Sequence, residues 1–88
     1  MTESITDRLA REVRARRAAL GLSQQDLSAL AGVSERFVRF VEQGKPSIQL
    51  NSLLAVLDTL GLELRITTRT GKSAGALAGH ASGQETQR

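Results

Sequence analysis

Residues 24–41, QQDLSALAGVSERFVRFV, decide the fold of this chain. An amphipathic stretch over residues 24–31 runs into Gly32-Val33, and Ser34 opens a second one over residues 35–43. Leu27, Leu30 and Ala31 share one face of the first helix; Val38 and Val41, three apart, share one face of the second. Two short helices joined by a turn of three to four residues that contains glycine form a helix-turn-helix, whose second helix enters the DNA major groove. Ser28 is small, as a residue must be where two helices cross closely, and Val33 can fill the corner. Gly32 supplies the backbone freedom that the reversal needs. Both helices carry start signals: Ser23 with Asp26 three residues on, and Ser34 ahead of Glu35. Any hairpin of helices shares parts of this pattern, but here the glycine, the small residue and the five apolar positions coincide.

Upstream, residues 6–20 are helical in pattern, with Leu9, Val13 and Leu20 on one side, Ala10 and Ala18 alongside, and Ser4 or Thr6 as the cap. Arg8, Arg11, Arg14, Arg16 and Arg17 cover its polar surface. They read either as a solvated face with a Glu12–Arg16 pair, or as a face from which Arg14 or Arg17 reaches a DNA phosphate. Gly21 stops this helix. Downstream, Gly44 is a candidate C-cap and Lys45-Pro46 marks a loop. Ser47 or Asn51 then caps a fourth helix with a broad apolar face of Leu53, Leu54, Val56, Leu57 and Leu60, ended by Gly61. The expected architecture is all-α: four to five short helices around a core of Leu9, Val13, Leu27, Leu30, Val33, Val38, Val41, Leu54, Leu57 and Leu60.

The period then changes. Residues 62–67, LELRIT, alternate apolar and polar and read as a half-buried strand. A lone strand in a helical chain leaves an unpaired edge. The remedy expected here is pairing with the same strand of a second copy, a homodimer held by Leu62, Leu64 and Ile66, with Glu63 facing Arg65 of the other subunit. The alternative is an extended segment packed on its own helices. Residues 1–68 thus form one DNA-binding domain. Residues 69–88 are rich in Gly, Ala and Ser and lack periodicity, so they read as a disordered tail.

Composition excludes several classes. Eighty-eight residues suffice for one small core. There is no cysteine, no tyrosine and no tryptophan, and the single histidine, His80, lies in the tail. With no glycine-rich phosphate loop and no metal-ligand spacing either, neither an enzyme nor a cofactor is expected. No apolar run approaches the roughly 20 residues that span a bilayer, and the N-terminus lacks the apolar stretch of a secretory signal. A soluble, cytoplasmic protein without membrane contact is expected. The net charge is +3, but residues 1–68 hold nine basic and eight acidic side chains, so a nucleic-acid footprint must come from clustering. The basic residues are arginines apart from Lys45 and Lys72. That bias suits bidentate contacts to phosphate or guanine, although high-GC codon usage produces it equally well.

For contacts to the DNA backbone, Gln24 in the first turn of the first motif helix is the foremost candidate, since helix N-terminal N–H groups meet phosphate there. Lys45 is a second and Gln43 a weaker one. For base readout the positions off the Val38–Val41 stripe are Ser34, Glu35, Arg36, Phe37, Arg39 and Phe40. Arg36 and Arg39 are each suited to guanine O6 and N7. Ser34 can reach a base or a phosphate while capping. Glu35 either accepts from cytosine N4 or holds Arg39 in an i,i+4 pair. Phe37 and Phe40 either touch thymine methyl groups or pack inward, with Phe40 the expected core member. A dimer places two such helices 34–36 Å apart, which implies a palindromic double-stranded operator.

The segment SQQDLSALAGVSERFVRFVEQGKPSI, residues 23–48, resembles the Xre/Cro-type helix-turn-helix repressors, and its E-Q-G-K-P end resembles the element that follows their recognition helix. The continuation LLAVLDTLGLELRI, residues 53–66, is most similar to the small HipB-type antitoxins. The resemblance covers about residues 9–67. It implies a lambda-repressor-like bundle, Gln24 as a phosphate contact, and dimerisation through the C-terminal strand. It further implies an antitoxin that binds a HipA-like kinase toxin and represses its own operon. A stand-alone, phage-repressor-like regulator is the alternative. A third possibility keeps the fold as a pure interaction module, against which Arg36, Arg39, Gln24 and Lys45 speak together. The recognition helix departs from the Gln- or Asn-rich sequence of many relatives, so no operator carries over.

Overall fold

Three serines start three of the four helices. In the computed structural model, which describes residues 3–68, the order is α1 (Ile5–Ala19), α2 (Gln24–Ala31), α3 (Glu35–Glu42) and α4 (Leu50–Leu60). The Ser4 hydroxyl accepts from the Asp7 N–H at 3.1 Å, which settles the first cap on Ser4 over Thr6. Ser23 and Asp26 form a reciprocal capping box, with bonds of 2.9 and 3.0 Å. Ser34 accepts from the Phe37 N–H at 3.0 Å. Each cap satisfies an orphan amide and contributes about 0.5–2 kcal/mol. α4 differs from expectation: its cap is Gln49, without a side-chain bond to the backbone. Ser47 is instead held at φ 65 in the loop, and Asn51 already lies inside the helix.

The core gathers Val13 of α1, Leu27 of α2, Val38 and Val41 of α3, and Leu53, Val56, Leu57 and Leu60 of α4, with Leu9, Ala31, Val33 and Phe37 packed around it. Two expected members stay outside. Leu30 is 65% exposed and Leu54 41%. On α4 the inward stripe runs Leu53, Val56, Leu57, Leu60 at helical spacing, and Leu54 lies a further 100° round the axis. On α2 the inward positions are Leu27 and Ser28, leaving Leu30 on the flank. The buried Ser28 hydroxyl donates to the Gln25 carbonyl at 2.8 Å, so its burial leaves no polar group unpaired.

α1 is fastened at both ends. Arg16 Nε donates to the Leu60 carbonyl at 2.8 Å, capping the end of α4 instead of pairing with Glu12. At the other end Gly44, at φ +73, lies so close to α1 that an added Cβ would sit 2.9 Å from Asp7 Oδ1. Gly44→Ala is therefore expected to lower stability by about 1–2 kcal/mol, most of it from the left-handed backbone. Urea unfolding monitored by circular dichroism checks this, and an unchanged midpoint would mean the loop relaxes freely.

The expected strand does not form within the chain. Residues 62–68 follow α4 without regular backbone hydrogen bonding, and no strand occurs among the described residues. A strand is defined by a ladder to a neighbour, which a single helical chain does not provide. Glu63 and Arg65 instead approach each other within the chain, at 3.6 Å in the open. The expected disordered tail, residues 69–88, lies outside the described residues. Among those described, no helix is long and apolar enough to cross a membrane.

Candidate nucleic-acid interface

Helix α3 divides sharply into two faces. Val38, Val41 and Glu42 are buried, while Arg36 and Arg39 are exposed and Glu35, Phe37 and Phe40 are half-buried. Because Glu42 is four residues beyond Val38, it lies on the apolar stripe and must be buried with it. It is 5% exposed and fully engaged. Arg17 Nε donates to Glu42 Oε2 at 2.6 Å and Arg17 Nη2 to Oε1 at 2.9 Å, a bidentate pair that ties α1 to α3. Arg17 Nη1 also donates to the Leu22 carbonyl at 2.9 Å. Arg14 Nη1 donates to the Glu42 backbone carbonyl at 2.6 Å. Burial pushes the Glu42 carboxyl up. The Arg17 and Gln24 hydrogen bonds and the charges of Arg17 and Arg14 outweigh it, and the carboxyl is held below its ordinary value. The Arg17 guanidinium is correspondingly raised, chiefly by its bond to Glu42 and against the effect of burial. In this structure Arg14 and Arg17, two candidates for phosphate, are committed to holding the helices together.

Gln24 begins α2, half-buried, and its Nε2 donates to Glu42 Oε1 at 3.0 Å. The Gln24 side chain is thereby fixed at the start of the helix, with its second amide hydrogen and its carbonyl oxygen free of this bond. Ser34 caps α3. Glu35 takes the second of its two readings: its Oε2 accepts from Arg39 Nη1 at 2.7 Å, an exposed i,i+4 pair. Arg36 makes no ion pair or side-chain hydrogen bond among the described residues. Lys45, just past the helix, places its Nζ 6.0 Å from the centre of the Phe40 ring.

Of the predicted site residues, Arg36, Arg39 and Lys45 line one cleft of about 350 Å³ together with Phe40 and Gln43. Ser34 and Arg36 line a second, of about 290 Å³, with Phe37, Phe40, Ser47 and Gln49. The aromatic pair reverses the expected order. Phe37 packs against the core, while Phe40 lies between the two clefts. Ser47 and Gln49, which sequence reading did not single out for the site, face it from the α3–α4 loop; no local pattern marks them, because the loop brings them there. Leu62 and Leu64 lie across a groove from Ile5 and Leu9 of α1, and Ile66 is 95% exposed.

Comparison with known proteins agrees with this geometry. The helix-turn-helix family HTH_3 matches residues 13–66. An uncharacterized HTH-type transcriptional regulator of Sinorhizobium fredii, y4mF, is 43% identical over 54 residues, 61% of this chain and 71% of that protein. Another uncharacterized HTH-type transcriptional regulator, from Haemophilus influenzae, is 36% identical over 66 residues, 75% of this chain and 67% of that protein. Among solved structures, one described as MDT protein and one chain of a HipA-HipB-O2-O3 complex each superpose with a TM-score of 0.68 at 17% identity, covering 80% of this chain and 99% of theirs. At that identity the likeness to the two structures is one of fold.

Proposed function

This chain belongs to the helix-turn-helix family of DNA-binding transcriptional regulators, and on that premise we propose that it is a dimeric, sequence-specific repressor acting as the antitoxin of a kinase toxin. The observation that carries the DNA contact is the outward face of α3. It presents Arg36 and Arg39, with Lys45 beside them and Ser34 at the helix start, and it is free of core duties. Arg36 and Arg39 read guanine edges, and Arg39 leaves Glu35 to do so. Gln24, Ser34 and Lys45 hold phosphates. Two copies paired through Leu62, Leu64 and Ile66 present two such helices to a palindrome. Repression is steric exclusion from the promoter and involves no chemistry.

Support for the antitoxin reading is the resemblance of residues 53–66 to HipB-type proteins and the fold shared with a chain of the HipA-HipB-O2-O3 complex. The partner is then a HipA-like kinase toxin. Fluorescence anisotropy on DNA upstream of the chain's own gene, against random DNA across a salt series, tests the repressor. Arg36→Ala is expected to cost about 1–3 kcal/mol on the operator and to relax one base position. Equal loss on random DNA would make Arg36 a phosphate contact. Co-purification of a kinase-sized protein supports the antitoxin, and operator binding without such a partner leaves a stand-alone regulator.

A further inference from the structure

Phe40 is out of place for either of the ordinary roles of a phenylalanine. It is half-buried rather than in the core, and cationic side chains surround it: Arg36 four residues before, Arg39 beside it, Lys45 above its ring. The two clefts of the interface meet at Arg36 and Phe40, the residues that line both. The result is an aromatic floor with a cationic rim. Such a surface complements a polyanion that displays a small apolar group, and in the major groove that group is the 5-methyl of thymine. Resting on the DNA-binding reading above, we propose that Phe40 and Arg36 act as one reading unit, Phe40 seating a thymine methyl and Arg36 pairing with a guanine one or two base pairs away.

The spacing follows from the helix. Residues four apart on a helix are neighbours, with Cβ atoms about 5–6 Å apart. Base pairs stack about every 3.4 Å along the duplex. A side chain at each of the two positions therefore addresses base pairs that are adjacent or next-adjacent. Arg36 has the freedom for this, since no acidic side chain among the described residues holds it, whereas Arg39 is paired with Glu35. Lys45, over the Phe40 ring, stands where it can take the phosphate flanking the thymine. Phe37, packed on the core, lines one of the two clefts beside it.

The test starts from selection of binding sites out of a random duplex library by the full chain. The recovered half-site is expected to hold a thymine within two base pairs of a guanine. Replacing that thymine by uracil removes the methyl alone and is expected to weaken binding about four- to tenfold, the worth of one buried methyl group in fold-change. Uracil at other thymines should have no effect, and Phe40→Ala should bind the thymine and uracil sites alike. If wild-type protein binds both equally, the methyl contact is wrong, whatever becomes of the variant. If 5-methylcytosine at that position binds better than thymine, the thymine assignment is overturned in favour of a methylated cytosine. A library that returns no preferred sequence removes the DNA-reading proposal as a whole, and this one with it.

Discussion

Arg17→Ala is expected to lower the stability of this domain by about 3–5 kcal/mol, read from urea unfolding followed by circular dichroism. The reason is what remains behind. Glu42 is 5% exposed, and without Arg17 its carboxylate loses a bidentate partner and stays buried with the Gln24 amide as its hydrogen-bond donor and only the more distant charge of Arg14. The Leu22 carbonyl loses its donor as well. Folded domains have about 5–15 kcal/mol in total, and one of this size sits low in that range, so the loss takes most of what holds it. Removing both charges together is a different change: Arg17→Met with Glu42→Leu replaces the pair by apolar volume and is expected to recover most of the stability. If the single variant is as stable as the wild type, the pair contributes nothing and the helices are held by Val13, Val38 and Val41 with the Arg14 hydrogen bond.

The same pair sets an acid limb. The folded-state Glu42 carboxyl lies below its ordinary value of 4.5, so its contribution is fully present above about pH 4.5 and is lost as the pH falls through the folded value. Glu42→Gln is expected to flatten that limb. The limb does not vanish, because Asp26 is also held low, by the Ser23 backbone N–H first and the Ser23 hydroxyl second, and loses its capping role as the pH falls through its own folded value. An acid limb identical in Glu42→Gln and wild type would remove Glu42 from it and leave Asp26 as its source.

The second large effect is expected of Leu64→Asp. Under the proposed dimer, Leu62, Leu64 and Ile66 supply the paired strand, and a carboxylate placed at the two-fold axis meets its own copy. Sedimentation should then show a 9.4 kDa monomer where the wild type runs at twice that mass. DNA binding should fall with it. Two linked recognition helices gain about 10²–10⁴ over one, so the variant is expected to lose affinity of that order on a palindrome while keeping its helical content. The exposure of Ile66 and Leu64 and the lack of a ladder partner for residues 63–68 among the described residues are the reasons to expect a partner there. A variant that remains a dimer would remove the strand as the interface and move attention to the apolar residues left open on α2 and α4, Leu30 and Leu50.

Much of the helix-turn-helix is legible in the sequence. Ser23, Gly32 and Ser34 act over three or four residues, and the apolar positions of the two motif helices repeat at the helical period, so local sequence fixed both helices and the turn between them. The burial of Val13, Leu27, Val38 and Val41 follows from the same period. Even the Arg17–Glu42 pair left a trace that periodicity could have read: Arg17 is four residues beyond Val13, and Glu42 four beyond Val38, so each stands on an apolar stripe. A charge at such a position must find an opposite charge or destabilise the fold.

Other assignments rest on which elements the fold packs together. Whether Arg17 meets a phosphate or Glu42 depends on residues 25 apart in the chain, and whether Phe37 or Phe40 turns inward depends on how α3 packs against its neighbours and the α3–α4 loop. Leu30 and Leu54 are apolar and helical, yet face outward, because a helix buries one stripe and the packing angle chooses which side of a wide apolar face that is. The sequence by itself determined the helices, their ends and the family of the fold, since these rest on neighbours along the chain. The tertiary structure decided which arginines hold the protein together and which stay exposed on α3, since a side chain's partner is set by what the fold brings within about 3 Å of it.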